Sequence, residues 1–318
     1  LTDRRTLPTA PAANIRRLGL VLAFLALCII LSILSDRFRT LPNALNILRQ
    51  SSINGIIAVG ITLVILTAGI DLSVGSVLAL SSVITAQLLV SGIPSLIASL
   101  CGLSVGALLG LFNGILVTRF SLPPFVATLG TMTFARGLAL SFTQGRPITG
   151  LPESFRVFGT GFAGPIPVPV IIFLAVFLVG AFFLKLTPQG ERLYALGNNP
   201  TAARFTGIHV ESYIIAVYCV TGVLAALAGQ ILIARLNSAQ PVMGMGYELD
   251  AIAAVVVGGT DFSGGNGGLM GTLLGVLFIV VINNGSNLLN IPSFWGQVVK
   301  GVVIAVALLL NRASVSDK

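Results

Sequence analysis

Residues 65–80 read "ILTAGIDLSVGSVLAL", and Asp71 within them is the only charged residue between Arg49 and Arg119. A carboxylate at the centre of a membrane-spanning helix costs about 2.5–3.5 kcal/mol on insertion scales, so one that is kept faces a cavity, a counter-charge or a break in the helix. The neighbouring Gly69, Gly75, Ser73 and Ser76 favour the break. On that reading Asp71 and Ser73 offer capping oxygens to the amides that open the next helix. Irregular backbone of this kind survives in a membrane only where protein or water surrounds it. A second role, as a wall of a transport path, is compatible with the first.

The rest of the chain agrees with a membrane setting. Of its 318 residues, 55% are hydrophobic and 9% charged, with mean hydropathy +1.00, where a soluble domain carries roughly 25% charged residues. Apolar runs of the roughly 20 residues needed to cross a bilayer follow one another from end to end. They fall at about 18–35, 51–70, 72–91, 95–117, 124–143, 168–186, 213–234, 247–260, 268–290 and 294–311, which predicts an all-α polytopic membrane protein with ten spans. The first run ends in "SILSDRF" without a small-x-small cleavage pattern, so it reads as a retained span rather than a signal peptide. The run at 247–260 is short enough to be re-entrant.

Ten spans put both termini on one side. That side would hold Arg4, Arg5, Arg16, Arg17, Arg119, Lys185, Arg192, Arg204, Arg312 and Lys318. The other would hold Arg37, Arg39, Arg49, Arg146, Arg156 and Arg235, with Arg136 and Lys300 inside spans. The excess of ten over six predicts cytoplasmic termini. Residues 1–17 and 312–318 are then cytoplasmic, and 18–311 form one transmembrane domain. The net charge of +8 is scattered singly through loops, which suits anionic lipid and not nucleic acid. Cys28, Cys101 and Cys219 lie in separate runs and suggest neither a disulfide nor a metal site.

Glycines recur every fourth residue at Gly102, Gly106, Gly110 and Gly114, and again at Gly267, Gly271 and Gly275. Such ladders let a neighbouring helix backbone approach closely, so they are expected to be packing seams. The long polar stretch is Thr187–Ser212, "TPQGERLYALGNNPTAARFTGIHVES". Asn199 before Pro200 sets a helix start and Gly207 a stop, which predicts a short helix over Pro200–Thr206 on the cytoplasmic surface.

Several chemistries are excluded. The lysines are Lys185, Lys300 and Lys318, and none follows a GxxxxG loop that could cradle ATP. His209, the single histidine, lies in the polar stretch, so no Ser/His pair exists within the membrane and catalytic residues are not expected. "GIDLSVG" at 69–75 and "GTDFSGG" at 259–265 both fit G-x-D-[LF]-S-x-G. Broken helices in corresponding halves point to a site between repeats, which would give Asp261 and Ser263 the part of Asp71 and Ser73. Arg136 is deep in the fifth run, either snorkelling or facing an acid or a substrate oxygen. Glu248 and Asp250 open "YELDAIAAVVV", where acids complement the helix dipole; the rival role is docking a soluble partner outside. Amides and hydroxyls are frequent within the runs, among them Asn54, Thr62, Thr128, Asn283 and Asn284. A path so lined suits a neutral, polyhydroxylated solute better than an ion.

"GITLVILTAGIDLSVGS" (60–76), "PPFVATLGTMTFARGL" (123–138), "GERLYALGNNPTAARFTGI" (190–208), "SAQPVMGMGYELDAIAAVVVGGTDFSGG" (238–265) and "NNGSNLLNI" (283–291) occur in this order. They resemble the membrane permeases of bacterial ABC sugar importers of the ribose, xylose and arabinose type, over about 18–311. The resemblance implies a type II-importer-like bundle in the bacterial inner membrane, with breaks near 69–76 and 259–266. It implies a homodimer that receives a small neutral sugar from a periplasmic binding protein. It also implies a cytoplasmic ABC ATPase that holds the ATP and Mg, so this chain binds no cofactor. Gly197–Ile208 matches the family's coupling segment, through Gly197, Asn198, Asn199, Ala202, Ala203, Arg204 and Gly207. The short helix would seat in a groove on the ATPase, its alanines permitting close approach. An ion-coupled carrier or channel is the rival from another class.

Overall fold

A computed structural model describes residues 10–292 and, beyond them, 295, 296, 298, 301 and 302. Residues 1–9, the tail at 312–318 and most of the run expected at 294–311, Lys300 included, lie outside the described residues. Helices α1 (Ala10–Leu34), α2 (Leu41–Leu66), α3 (Val74–Val90), α4 (Ser95–Thr118) and α5 (Pro124–Thr143) come first. At one end of the bundle follow the two-residue strand β1 (Ile148–Thr149), the short helix α6 (Glu153–Thr160) and the hairpin of β2 (Phe162–Ala163) with β3 (Ile166–Pro167). Then come α7 (Val168–Leu186), α8 (Pro188–Asn198), α9 (Pro200–Phe205) and α10 (Val210–Leu236). Strand β4 (Ser238–Ala239) pairs antiparallel with β1, and α11 (Tyr247–Val257) and α12 (Leu269–Leu288) complete the described helices.

Six of these helices, α2, α4, α5, α7, α10 and α12, are long and apolar enough to cross a membrane, and Leu18–Leu34 and α3 are shorter apolar helices. Among the described residues these are fewer clear spans than the ten expected. The run at 247–260 yields only the 11-residue α11, and 11 residues rise about 16 Å, half a bilayer. Its approach is the non-helical segment 237–246, which Gly244 and Gly246 turn at φ +72° and +84°. The expected start at 51 is also corrected, because α2 begins at Leu41 with proline in its first turn. The polar residues Asn43, Asn46, Arg49 and Gln50 masked that start in the sequence.

Helix α2 is the hub. From Ser51 to Leu66 every residue but Asn54 is buried, which is what an apolar pattern without a polar face dictates. The first glycine ladder lets α4 lie on α10 backbone to backbone. A Cβ at Gly106 would run into the Gly222 carbonyl, one at Gly110 into that of Tyr218, and one at Gly114 into the Cα of Ile215. The second ladder closes α12 on α11, Gly271 against the Gly258 carbonyl and Gly275 against that of Ala254. Polar ties join α4 to α10 and α2 to α12. Thr62 Oγ1 and Thr272 Oγ1 are 2.8 Å apart, and Gln230 Nε2 donates to the Ser99 carbonyl at 2.7 Å. Asn43 and Asn284, both buried, exchange side-chain bonds at 3.1 and 2.8 Å.

Candidate functional site

The segment between α2 and α3 leaves the helix at Ala68, which takes the left-handed φ of +58°, and runs irregularly to Ser73. Asp71, 2% exposed, accepts through Oδ1 both the Ser73 amide at 2.8 Å and the Ser73 hydroxyl at 2.6 Å. The division of labour differs from the expectation in one respect: Ser73 precedes α3 but its side chain caps nothing. Its hydroxyl is spent on Asp71 and accepts in turn from Asn113 Nδ2 on α4 at 2.9 Å. The loop backbone is held from two further helices. The Tyr218 hydroxyl on α10 donates to the Ile70 carbonyl at 3.2 Å, and the Leu72 amide donates to Thr128 Oγ1 on α5, also at 3.2 Å. The break is thus enclosed in protein on three sides, as a non-helical stretch among apolar helices requires.

The second G-x-D-[LF]-S-x-G stretch forms a related loop between α11 and α12. Asp261 Oδ1 accepts the Ser263 amide at 2.9 Å, the same two-residue turn, but its surroundings are more open than those of Asp71. The two loops touch: the Gly265 amide donates to the Leu66 carbonyl at 2.9 Å, and Gly264 leaves no room for a Cβ beside Ala68.

Helices α3 and α11 meet at their N-terminal ends. The Glu248 carboxylate accepts the Gly246 amide at 3.0 Å and lies against Gly75, where a Cβ would collide with it. Arg136 Nη1 reaches across from α5 to the carbonyls of Pro241 and Met243, at 2.6 and 2.8 Å. It therefore clamps the non-helical approach to α11 and does not snorkel outward. Asp250, 5% exposed, accepts from Asn283 Nδ2 of α12 at 3.2 Å. Glu248 and Asp250 consequently do not form the outward docking patch their sequence position suggested. The non-helical approach has carried the start of α11 back into the bundle. Asn284 ties α12 to α2, and Asn54 sits half-buried on α2.

In the polar segment, Thr187 caps α8 by accepting the Gly190 amide at 3.2 Å, and Asn199 caps α9 by accepting the Ala202 amide at 3.0 Å. Gly207 follows α9 at φ +84°. Arg204 pairs with Glu211 at 2.7 Å, a surface pair worth at most about 1 kcal/mol. The faces of the segment correct the expectation drawn from its alanines. Ala203 is 4% exposed and packs into the chain's own core, as does Gly197, whereas Ala202 is exposed and Phe205 is 88% exposed. Gly197 meets the Leu66 carbonyl and the Gly265 amide. Asn198 Nδ2 donates to the Gly265 carbonyl at 3.2 Å, and the Tyr194 hydroxyl to that of Gly267 at 3.1 Å. Burial pushes the Tyr194 phenol above the usual tyrosine range, so it stays a neutral donor.

The structure therefore brings Asp71, Ser73, Gly197, Asn198, Asp261 and Ser263 to one end of the bundle. It sets Arg136, Glu248, Asp250 and Asn283 around the approach to α11. Sequence reasoning missed Tyr194, Phe205 and Tyr218, and it named Asn113 only as one polar residue within a span. Phe205 alone gave a usable signal, a large apolar side chain within a polar stretch.

The family described as branched-chain amino acid transport system / permease component matches residues 43–308. The ribose import permease protein RbsC of Bacillus subtilis (strain 168) is 51% identical over 299 residues, covering 93% of this chain and 93% of that protein. That of Escherichia coli (strain K12) is 46% identical over 296 residues, covering 92% of each. The D-allose transport system permease protein AlsC of the same strain is 41% identical over 294 residues, covering 91% of this chain and 90% of that one. No solved structure matches. With that coverage from end to end, on an all-helical bundle of apolar spans, the chain belongs to this family of membrane permease components and is a transport subunit.

Proposed function

We propose that the chain is the permease of an ATP-driven, binding-protein-dependent importer of ribose or a closely related monosaccharide, working by alternating access in the bacterial inner membrane. Two copies enclose the sugar path. A periplasmic binding protein delivers sugar at the end bearing β1, α6 and β4, and a cytoplasmic ATPase holding ATP and Mg grips the opposite end. Residues 18–311 form the membrane domain with ten crossings, α11 and its non-helical approach making one of them. Residues 1–17, 187–212 and 312–318 face the cytoplasm. Asp71, Ser73, Asn54, Arg136, Asp261, Ser263, Asn283 and Asn284 shape the path and its helix breaks.

One observation carries the reading. The α8–α9 segment is wedged by Gly197 against both helix-break loops on its inner side, while its outer side presents Phe205 almost bare. Such a segment can receive a push from a partner and deliver it to the bundle. The partner biases the bundle only so far as it binds one conformation better than the other. Phe205, Ala202 and Arg204 then form the docking face, with Ala203 holding the helix to its own bundle.

The test is reconstitution in liposomes with the ATPase and the sugar-loaded binding protein. Uptake of D-ribose that requires ATP and both partners is the expected result. Uphill uptake by the chain alone on a proton or sodium gradient would overturn the reading in favour of an ion-coupled carrier.

A further inference from the structure

Three places in the fold that are far apart in sequence are joined at one end of the bundle. The Tyr194 hydroxyl and the Asn198 amide, both on α8, donate to the carbonyls of Gly267 and Gly265 at 3.1 and 3.2 Å. The amide of the same Gly265 donates to the carbonyl of Leu66, the last residue of α2, at 2.9 Å. Gly197 fills the remaining gap so closely that a Cβ there would collide with the Leu66 carbonyl and the Gly265 amide. Beyond Leu66 comes the Asp71 loop, itself bonded to α4, α5 and α10.

This connection has little slack. Gly264, Gly265 and Gly267 stand at φ +84°, +66° and +138°, and a Cβ on them would run into Ala68, Asn198 and Thr260 respectively, so the loop is closely packed on its neighbours. The α9 helix does not share these contacts. It meets its own chain through Ala203 and turns Phe205 outward. Docking and transmission are therefore separate tasks for two neighbouring helices.

We propose that Tyr194 and Asn198 are positioning residues that pass displacement of the α8–α9 segment into the 264–267 loop and, through Leu66, into the Asp71 break. Both helix breaks then move as one in the transport step. The inference rests on the coupling reading above, and it assigns the grip to α8. Without the two side-chain bonds the partner still hydrolyses ATP, but the bundle follows the cycle incompletely.

The measurement is the ratio of D-ribose imported to ATP hydrolysed by the complete complex in liposomes. ATP-driven uptake by the unmodified chain establishes the coupling reading, and its absence sinks that reading before the grip is tested. With uptake established, Tyr194→Phe combined with Asn198→Ala lowers the ratio at least about fivefold, the shift that either lost hydrogen bond supplies by itself, while hydrolysis stays within about twofold. An unaltered ratio, or uptake and hydrolysis falling in parallel, means that the two side chains merely pack, and the proposal is overturned. Should the double variant not accumulate in the membrane, Asn198→Ala alone, at an exposed side chain, is judged by the same ratio.

Discussion

Asp71 shows how far a single residue can be read. Its isolation among the apolar and small residues of 69–75 announced a helix break, and the break is there, at 67–73. Its partners were not legible, because Asn113, Thr128 and Tyr218 lie on three later helices and no spacing in the sequence links them to it. The carboxylate accepts two donors from Ser73. Asp71→Asn keeps an acceptor of the same shape, so the variant should accumulate normally in the membrane. Its bonds lose the ionic contribution, from about 1.5–3 kcal/mol to about 0.5–1.5 kcal/mol each, which loosens the break. Transport at equal abundance is therefore expected to fall. Asp71→Ala strands a buried amide and hydroxyl, costing about 1–3 kcal/mol apiece, and should lower the melting temperature of the detergent-solubilised protein further than Asp71→Asn does. Equal melting of the two variants would remove the bonding role assigned here.

At the scale of elements, the glycine ladder on α4 was legible as a seam, but its partner was not. The ladder could have packed on any neighbour, and only the fold sets Gly106, Gly110 and Gly114 on α10 and Gly102 against Thr85 of α3. Gly110→Ala pushes a methyl group into the carbonyl of Tyr218, the residue whose hydroxyl holds the Ile70 carbonyl. Overpacking of this kind costs about 1–3 kcal/mol, so the variant should melt earlier and transport less. Gly130 and Gly137 on α5 have nothing within 4 Å of an added Cβ, and alanine there should leave melting unchanged or raised. The short helix α9 teaches the complementary lesson. Asn199, Pro200 and Gly207 fixed its ends, because capping and proline act locally. Six residues hold too little periodicity to say which side faces in, so Ala203 was misplaced. Cysteine at Phe205 should cross-link to the ATPase, and cysteine at Ala203 should not. Adducts from Ala203 alone would reverse the face assigned to the helix.

For the whole molecule, the reading stands on which end of the bundle meets ATP. Loop charges favour the α8–α9 end as cytoplasmic by ten to six, a narrow margin for a rule that acts through free cations near short loops. The structure accounts for three of the dissenting six and takes one, Arg204 paired with Glu211, from the ten. Arg49 lies over the Phe162 ring at 4.8 Å, Arg235 donates to Asn46, and Arg39 pairs with Asp36. A cation already neutralised or stacked in the folded protein has less to gain from anionic lipid. Sidedness can be measured directly. With Cys28, Cys101 and Cys219 changed to Ser, Ser154→Cys on α6 and Thr201→Cys on α9 place single thiols at exposed positions of opposite ends. A membrane-impermeant maleimide added to whole cells, with the outer membrane made passable, should label Ser154→Cys at once. Thr201→Cys should react only after the inner membrane is opened. The converse pattern would put α9 outside, beyond the reach of any ATPase, and with it would go the coupling segment, the grip of Tyr194 and Asn198, and the direction of transport.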